Sequence, residues 1–177
     1  EHGGNIFARS RVGEGSTFVI ELPIIFKLPE SPALPHELMP QALQFENVVR
    51  DKRILVVDDE RYILDFFVEV FKMFPLQVDT ADNGRTAMEK IQERQYDLII
   101  TDFKMPEMSG KELLDWIRNT CPDLAGRIIF VTGDTVSAET RAFFERTESR
   151  YLAKPFKIEE VKEVIQQTLE SGREHRM

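Results

Sequence analysis

From residue 52 to about residue 171, short apolar runs alternate with longer stretches of helical period. The runs are Ile54–Val57, Leu76–Val78, Leu98–Ile100, Ile128–Val131 and Tyr151–Ala153. Continuous Ile, Leu and Val suit strands covered on both faces, as in a parallel sheet. Ile63, Phe66, Phe67, Val70, Phe71 and Phe74 recur at helical spacing, and so do Ile158, Val161, Ile165 and Leu169. These stripes predict core-facing helices. Ser109 with Glu112 forms a capping-box start for a helix over Gly110–Arg118. Pro75 and Gly84 punctuate the pattern as breakers. Five β-α units in succession predict a parallel sheet with right-handed crossovers and helices on both faces.

Before residue 52 the pattern changes. Residues 1–24 hold two β-like runs, Asn5–Ser10 and Ser16–Leu22, around a turn at Arg11–Gly15. Phe18, Ile20 and Leu22 alternate on one side of the second run. One hairpin buries too little surface to be stable alone. It therefore asks for a sheet that the rest of the chain does not obviously supply. Residues 25–51 contain Pro29, Pro32, Pro35 and Pro40, after Pro23, which predicts an extended, semi-rigid linker. Within it, Leu38–Val49 has the pattern of a short helix or docking segment. Residues 172–177 form a tail.

Composition narrows the chemistry. With 177 residues the chain holds one domain and an attachment. Asp and Glu outnumber Lys and Arg by 31 to 23, which argues against a general nucleic-acid surface. A single cysteine, Cys121, excludes an intrachain disulfide and a Cys-rich zinc site. No apolar run approaches the roughly 20 residues that span a bilayer. The expectation is a cytoplasmic segment without membrane contact. The chain opens on Glu1 and has the look of a piece of a longer protein, to which any membrane anchor would belong.

Ligands of open α/β sheets bind outside the carboxyl ends of the strands, at the switch in strand order. The polar residues there are Asp58, Asp59 and Glu60 after the first run, Asp102 after the third, Thr132 after the fourth, and Lys154 with Pro155 after the fifth. The second run offers only Asp79 and Thr80. Carboxylates gathered at one sheet edge repel one another and need a cation. Their hard oxygens suit Mg²⁺. An aspartate can act as a nucleophile and become an acyl phosphate. A hydroxyl and an ammonium opposite it can hold phosphoryl oxygens. Taken singly, each residue has an ordinary explanation: an Asp after a strand caps a helix or forms a turn. Gly13-x-Gly15 leads into a strand, where a dinucleotide loop leads into a helix. The combination at four strand ends carries the reading.

The segments ILVVDDE (54–60), DFKMPEMSG (102–110), VTG (131–133) and YLAKPF (151–156) resemble the receiver domain of two-component response regulators. The resemblance implies a flavodoxin-like, doubly wound α/β fold over 52–171, with a five-stranded parallel sheet in the order 2-1-3-4-5. It makes Asp102 the phosphoacceptor. Asp58 and Asp59 match the acidic pair that holds Mg²⁺ (or Mn²⁺), Asp59 more directly and Asp58 largely through water. Asp102 and the Lys104 backbone carbonyl complete the protein ligands. Thr132 and Lys154 match the phosphoryl-binding hydroxyl and lysine, the latter often followed by a cis peptide. Tyr151 matches the aromatic that switches with Thr132. Lys104 and Asp134 stand where the family tunes hydrolysis of the acyl phosphate, and Met105, Pro106 and Gly110 match the loop after the acceptor.

The implied function is phosphorelay signalling. The implied partner is a histidine-phosphorylated kinase domain or a histidine phosphotransfer protein, with homodimerisation a further option. The phosphoryl group then switches the face built from the fourth and fifth strands and their following helices, is passed on, or is held in a phosphate sink. HGGNIFARSRVGEGSTFVIELP, within residues 1–24, resembles the last two strands of the ATP-binding domain of sensor histidine kinases. That domain's asparagine-bearing and Asp-x-Gly-x-Gly boxes are absent from these residues, so ATP binding is not expected. The parent would be a hybrid histidine kinase. Alternatives are an aspartate-nucleophile phosphatase, which wants an acid where Lys104 stands, and a flavin binder, which wants a hydroxyl-rich loop where Asp58, Asp59 and Glu60 stand. A pure docking module is the last alternative. Tyr62, beside the acidic pair, is a candidate partner contact.

Overall fold

The computed structural model describes residues 5–11, 15–21, 39–134 and 137–174, and the chain divides into two units, Glu1–Glu37 and Leu38–Met177. In the first unit β1 (Asn5–Arg11) pairs antiparallel with β2 (Gly15–Glu21), so that Phe7 faces Val19. Both of these side chains are exposed. The tip of the expected turn, His2-Gly3-Gly4, Leu22-Pro23 and the prolines at 29, 32 and 35 lie outside the described residues, as does the end of the tail.

Within the stretch read as linker over 25–51, the short helix whose pattern Leu38–Val49 carries is present. Met39–Val49 is a helix, α1, and it belongs to the second unit. Pro40 does not prevent this. It is the second residue of the helix, where the missing N–H would have had no acceptor in any case. What stabilises α1 is burial of Phe45, Val48 and Val49. The apolar face decides against an extended chain here.

The second unit continues as β3 (Arg53–Val57), α2 (Arg61–Phe71), β4 (Gln77–Ala81), α3 (Gly84–Glu93), β5 (Leu98–Asp102), α4 (Gly110–Thr120) and α5 (Pro122–Ala125). It ends with β6 (Ile128–Thr132), α6 (Ala138–Thr147), β7 (Arg150–Ala153) and α7 (Ile158–Glu174). The five strands are all parallel, in the order β4-β3-β5-β6-β7. This is the doubly wound 2-1-3-4-5 sheet of a flavodoxin-like fold.

Alternation along each strand sends neighbours to opposite faces. Ile54, Val56, Leu98, Ile100, Ile129, Val131 and Leu152 join α1, α2 and α7 in one layer. Leu55, Val57, Ile99, Ile128 and Phe130 join α3, α4 and α6 in the other. In the central strands β3, β5 and β6 both faces are core, so their apolar runs are not interrupted by polar residues; the edge strand β4, with Asp79 and Thr80, is only half-buried.

Gly84 marks an element boundary, as its expected role as a breaker requires. It opens α3, whose start is set by Asn83, which accepts the Thr86 N–H at 2.8 Å. A Cβ on Gly84 would come within 2.7 Å of the Met108 carbonyl oxygen, so a glycine lets α3 abut the β5–α4 loop. That loop holds Glu107 in the left-handed region, at φ 62°. Glu107→Gly is expected to raise stability by about 1 kcal/mol by removing the Cβ clash of that conformation. The measurement is a higher denaturant midpoint at unchanged m-value. The capping box at α4 is present as expected: Ser109 Oγ accepts the Glu112 N–H at 3.3 Å, and Glu112 accepts the Ser109 N–H at 2.9 Å.

Candidate functional site

The carboxyl ends of β3, β5, β6 and β7 meet at one edge of the sheet, with the switch in strand order between β3 and β5. The first residue past β3, Asp58, is 1% exposed. Its backbone N–H donates to the Ala81 carbonyl at 3.1 Å, and its Oδ1 accepts the Glu60 N–H at 2.8 Å. Asp102, last residue of β5, is buried, and its Oδ2 accepts the Lys104 N–H at 2.8 Å. The Phe103 N–H donates to the Val131 carbonyl at 2.9 Å and holds the strand end against β6.

Lys154 joins these acids. Its ammonium lies 2.8 Å from Asp102 Oδ1, 3.1 Å from Asp58 Oδ2 and 3.1 Å from Glu60 Oε1. Its backbone N–H donates to the Thr132 carbonyl at 2.8 Å, and the Lys154–Pro155 peptide is cis. Burial opposes the positive charge, but hydrogen bonds to Asp102 and Asp58 outweigh it, and the lysine pKa rises. Burial is also the largest influence on Asp58. It raises that carboxyl above its ordinary value against the pull of the Glu60 N–H and of Lys154, with Asp102 adding repulsion. Sequence reasoning placed Glu60 at the strand end but gave it no part. The structure makes it the third partner of Lys154. Tyr62, 64% exposed, donates to Glu60, and this hydrogen bond lowers the Glu60 pKa and raises that of the tyrosine.

Thr132 ends β6 and is buried, its Oγ1 accepting the Asp134 N–H at 3.1 Å. Asp134 also accepts the Ser137 N–H at 3.0 Å and pairs with the exposed Lys104 ammonium at 2.8 Å. The two residues expected to tune hydrolysis thus form one ion pair. It ties the loop after Asp102 to the loop after Thr132. Hydrogen bonding to Lys104 pulls the Asp134 pKa down to about 2. Because the folded value lies below the unfolded one, the pair's contribution is complete above about pH 4. It is lost as pH falls toward 2. Tyr151 lies in β7 with 46% of its surface exposed, stacked on Phe144 at 4.5 Å. Its ring is thus partly in solvent, while the Thr132 side chain is buried.

Asp59 is exposed, and among the described residues no hydrogen bond or ion pair holds its carboxylate. Among the described residues, no three His, Cys, Asp or Glu side chains close on a metal by themselves. The donor set nevertheless fits a hard divalent ion. Mg²⁺ is usually held by one or two carboxylates and keeps several waters. Here two buried carboxylates, Asp58 and Asp102, share a single ammonium with Glu60, leaving excess negative charge at the edge.

Residues 54–166 match the family model of the response regulator receiver domain. The chain belongs to this family. It is a receiver of two-component phosphorelay signalling. It is 33% identical over 118 residues to the response regulator receiver protein CpdR of Brucella abortus, covering 67% of this chain and 97% of CpdR. It is also 33% identical over 157 residues to the autoinducer 2 sensor kinase/phosphatase LuxQ of Vibrio parahaemolyticus. That match covers 87% of this chain but only 18% of LuxQ, so the chain spans under a fifth of this relative. Among solved structures, the response regulator TrrA of Thermotoga maritima, in complex with Mg²⁺-BeF, superposes with a TM-score of 0.58. It is 35% identical, with 66% of this chain and 98% of TrrA covered. No helix of the described residues is long and apolar enough to cross a membrane.

Proposed function

We propose that this receiver takes a phosphoryl group from a phosphohistidine onto Asp102. The observation that carries the reading is the Lys154 ammonium set between Asp102 Oδ1 and Asp58 Oδ2 at the switch point of the sheet. An Asp102 oxygen forms the new bond to phosphorus as the P–N bond of the donor breaks. The imidazole leaves with that electron pair. Lys154 already touches the attacking carboxylate, so it balances charge as the phosphoryl group arrives without first reorganising. The Lys104 N–H holds the other Asp102 oxygen, which fixes the carboxylate for in-line attack. Thr132 supplies a hydroxyl to a phosphoryl oxygen once it leaves the Asp134 N–H, and the partly exposed Tyr151 is then free to turn inward. That movement alters the face of β6, α6, β7 and α7.

Asp58, Asp59, Asp102 and the Lys104 carbonyl would hold Mg²⁺ (or Mn²⁺), as the receiver family and the Mg²⁺-BeF complex of TrrA support. The ion would supply charge neutralisation for the phosphoryl oxygens. The excess of carboxylate over ammonium at this edge is this chain's own argument for it.

The match to LuxQ is longer than the whole Leu38–Met177 unit, which supports a sensor kinase as the parent. The exposed Phe7–Val19 pair is further apolar surface, on the side opposite Phe18 and Ile20, that a larger domain would cover. The donor is then a histidine-phosphorylated kinase domain or a phosphotransfer protein. A phosphatase reading is weaker: Lys104, where the second acid would stand, is ion-paired to Asp134.

Incubating the full chain with a small P–N phosphodonor and Mg²⁺ is expected to add one phosphoryl group by intact mass. Asp102→Asn is expected to add none, and an equal gain on that variant would refute the assignment. Lys104→Asn opens the ion pair over the acceptor and admits water. It is expected to shorten the lifetime of the phosphorylated chain several-fold, measured as decay of the adduct after donor removal; an unchanged decay rate rejects this role.

A further inference from the structure

Helix α1 lies outside residues 54–166, which match the receiver family, yet the core is closed by it. Phe45 is 3% exposed and Val49 is fully buried. The Phe45 ring meets Phe74 edge-on at 5.0 Å, and the Lys162 ammonium of α7 lies 5.1 Å from the centre of the same Phe74 ring. Val48 and Val49 share one apolar cluster with Val161, Ile165 and Leu169 of α7. The exit from α1 is also held. Asp51 is left-handed at φ 59°, its N–H donates to the Pro75 carbonyl at 2.8 Å, and the Lys52 N–H donates to Val49 at 3.0 Å. The helix and the entry to β3 are one hydrogen-bonded joint.

The same layer reaches the acceptor site from its other end. Two residues past Lys154, Phe156 stacks on Phe67 at 5.6 Å. Phe67 lies 5.6 Å from Phe71, whose carbonyl accepts the Phe74 N–H at 3.0 Å. Helix α7 starts at Ile158, immediately after this loop. The Lys154 loop therefore presses on the α2–α7 layer at the carboxyl end of the sheet, and α1 presses on it at the amino end. A layer packed to interior density passes on a displacement of its members, since it holds no voids in which to absorb one.

We propose that α1 is a coupling helix. Docked on α7 and Phe74, it responds to the phosphoryl state of Asp102 through the Lys154–Phe156 loop and the row Phe67, Phe71, Phe74. It carries that response to the segment ahead of Leu38. The proposal rests on Asp102 being the phosphoacceptor. Linkage makes it reciprocal: whatever loosens α1 also shifts the phosphorylation equilibrium.

Amide hydrogen exchange on the full chain tests this, before and after treatment with a P–N phosphodonor and Mg²⁺, with intact mass read on the same samples. Amides 44–50 are expected to be protected at rest and to change exchange rate by about fivefold or more on phosphorylation. Phe45→Ala is expected to speed their exchange about a hundredfold and to erase the difference. Free exchange of these amides at rest overturns the docking. Protection that stays unchanged while the mass shows the adduct overturns the coupling alone. Absence of the adduct refutes the phosphoacceptor reading and the coupling with it. The wild-type comparison decides the matter if Phe45→Ala does not fold.

Discussion

Lys154→Ala is expected to slow phosphoryl incorporation at Asp102 by about a hundredfold to a thousandfold, the usual cost of removing one preorganised charge that faces a transition state. The ammonium contacts three carboxylates, and it is the only cation among the described residues that bridges Asp58 and Asp102. Without it, buried Asp58 keeps a desolvated charge beside Asp102 with only the Glu60 N–H in compensation. The phosphodonor then approaches a site whose field repels it. Time courses of adduct formation at fixed donor and Mg²⁺, followed by intact mass, measure the effect. Lys154→Arg keeps the charge but spreads it over a planar fork that does not match three separate oxygens. Partial recovery is therefore expected. A wild-type rate in Lys154→Ala would mean that the observed geometry has no part in transfer.

Gly110→Ala is expected to lower stability by about 3 kcal/mol, the upper end of overpacking costs. Gly110 begins α4, directly behind the acceptor. An added Cβ would collide with the Asp102 carbonyl oxygen and press on the Phe130 ring at 3.2 Å. Neither neighbour can yield cheaply. One is backbone at the end of a central strand. The other packs against Phe103, Phe143 and Phe144. For a domain of this size the midpoint of thermal unfolding should fall by about 10 °C. Because the collision falls on Asp102 itself, slower phosphorylation is expected below the transition as well. A variant with unchanged midpoint and rate would show that α4 can pull back from the strand without cost.

The patterning of this chain determined its fold because the two devices involved are local. Apolar runs without alternation, as in Ile54–Val57 and Ile128–Val131, can only be satisfied by core on both faces. The Ser109–Glu112 box closes within four residues. The candidate site was legible for a related reason. Parallel strands deliver their last residues to one edge, so Asp58, Asp102, Thr132 and Lys154 had to be neighbours once the β-α succession was granted.

Three features were decided only by the tertiary structure. Whether the proline-bearing stretch before residue 52 is linker or domain depends on what Phe45, Val48 and Val49 can bury against, and Phe74 and α7 are distant in sequence. Glu60 and Asp134 sit beside recognisable motif residues, but their partners, Lys154 and Lys104, come from other loops. The partly exposed seat of Tyr151 follows from stacking on Phe144 of the neighbouring helix. Sequence spacing specifies which backbone positions share an edge or a face. Which side chains then touch is set by how the loops and helices pack across it.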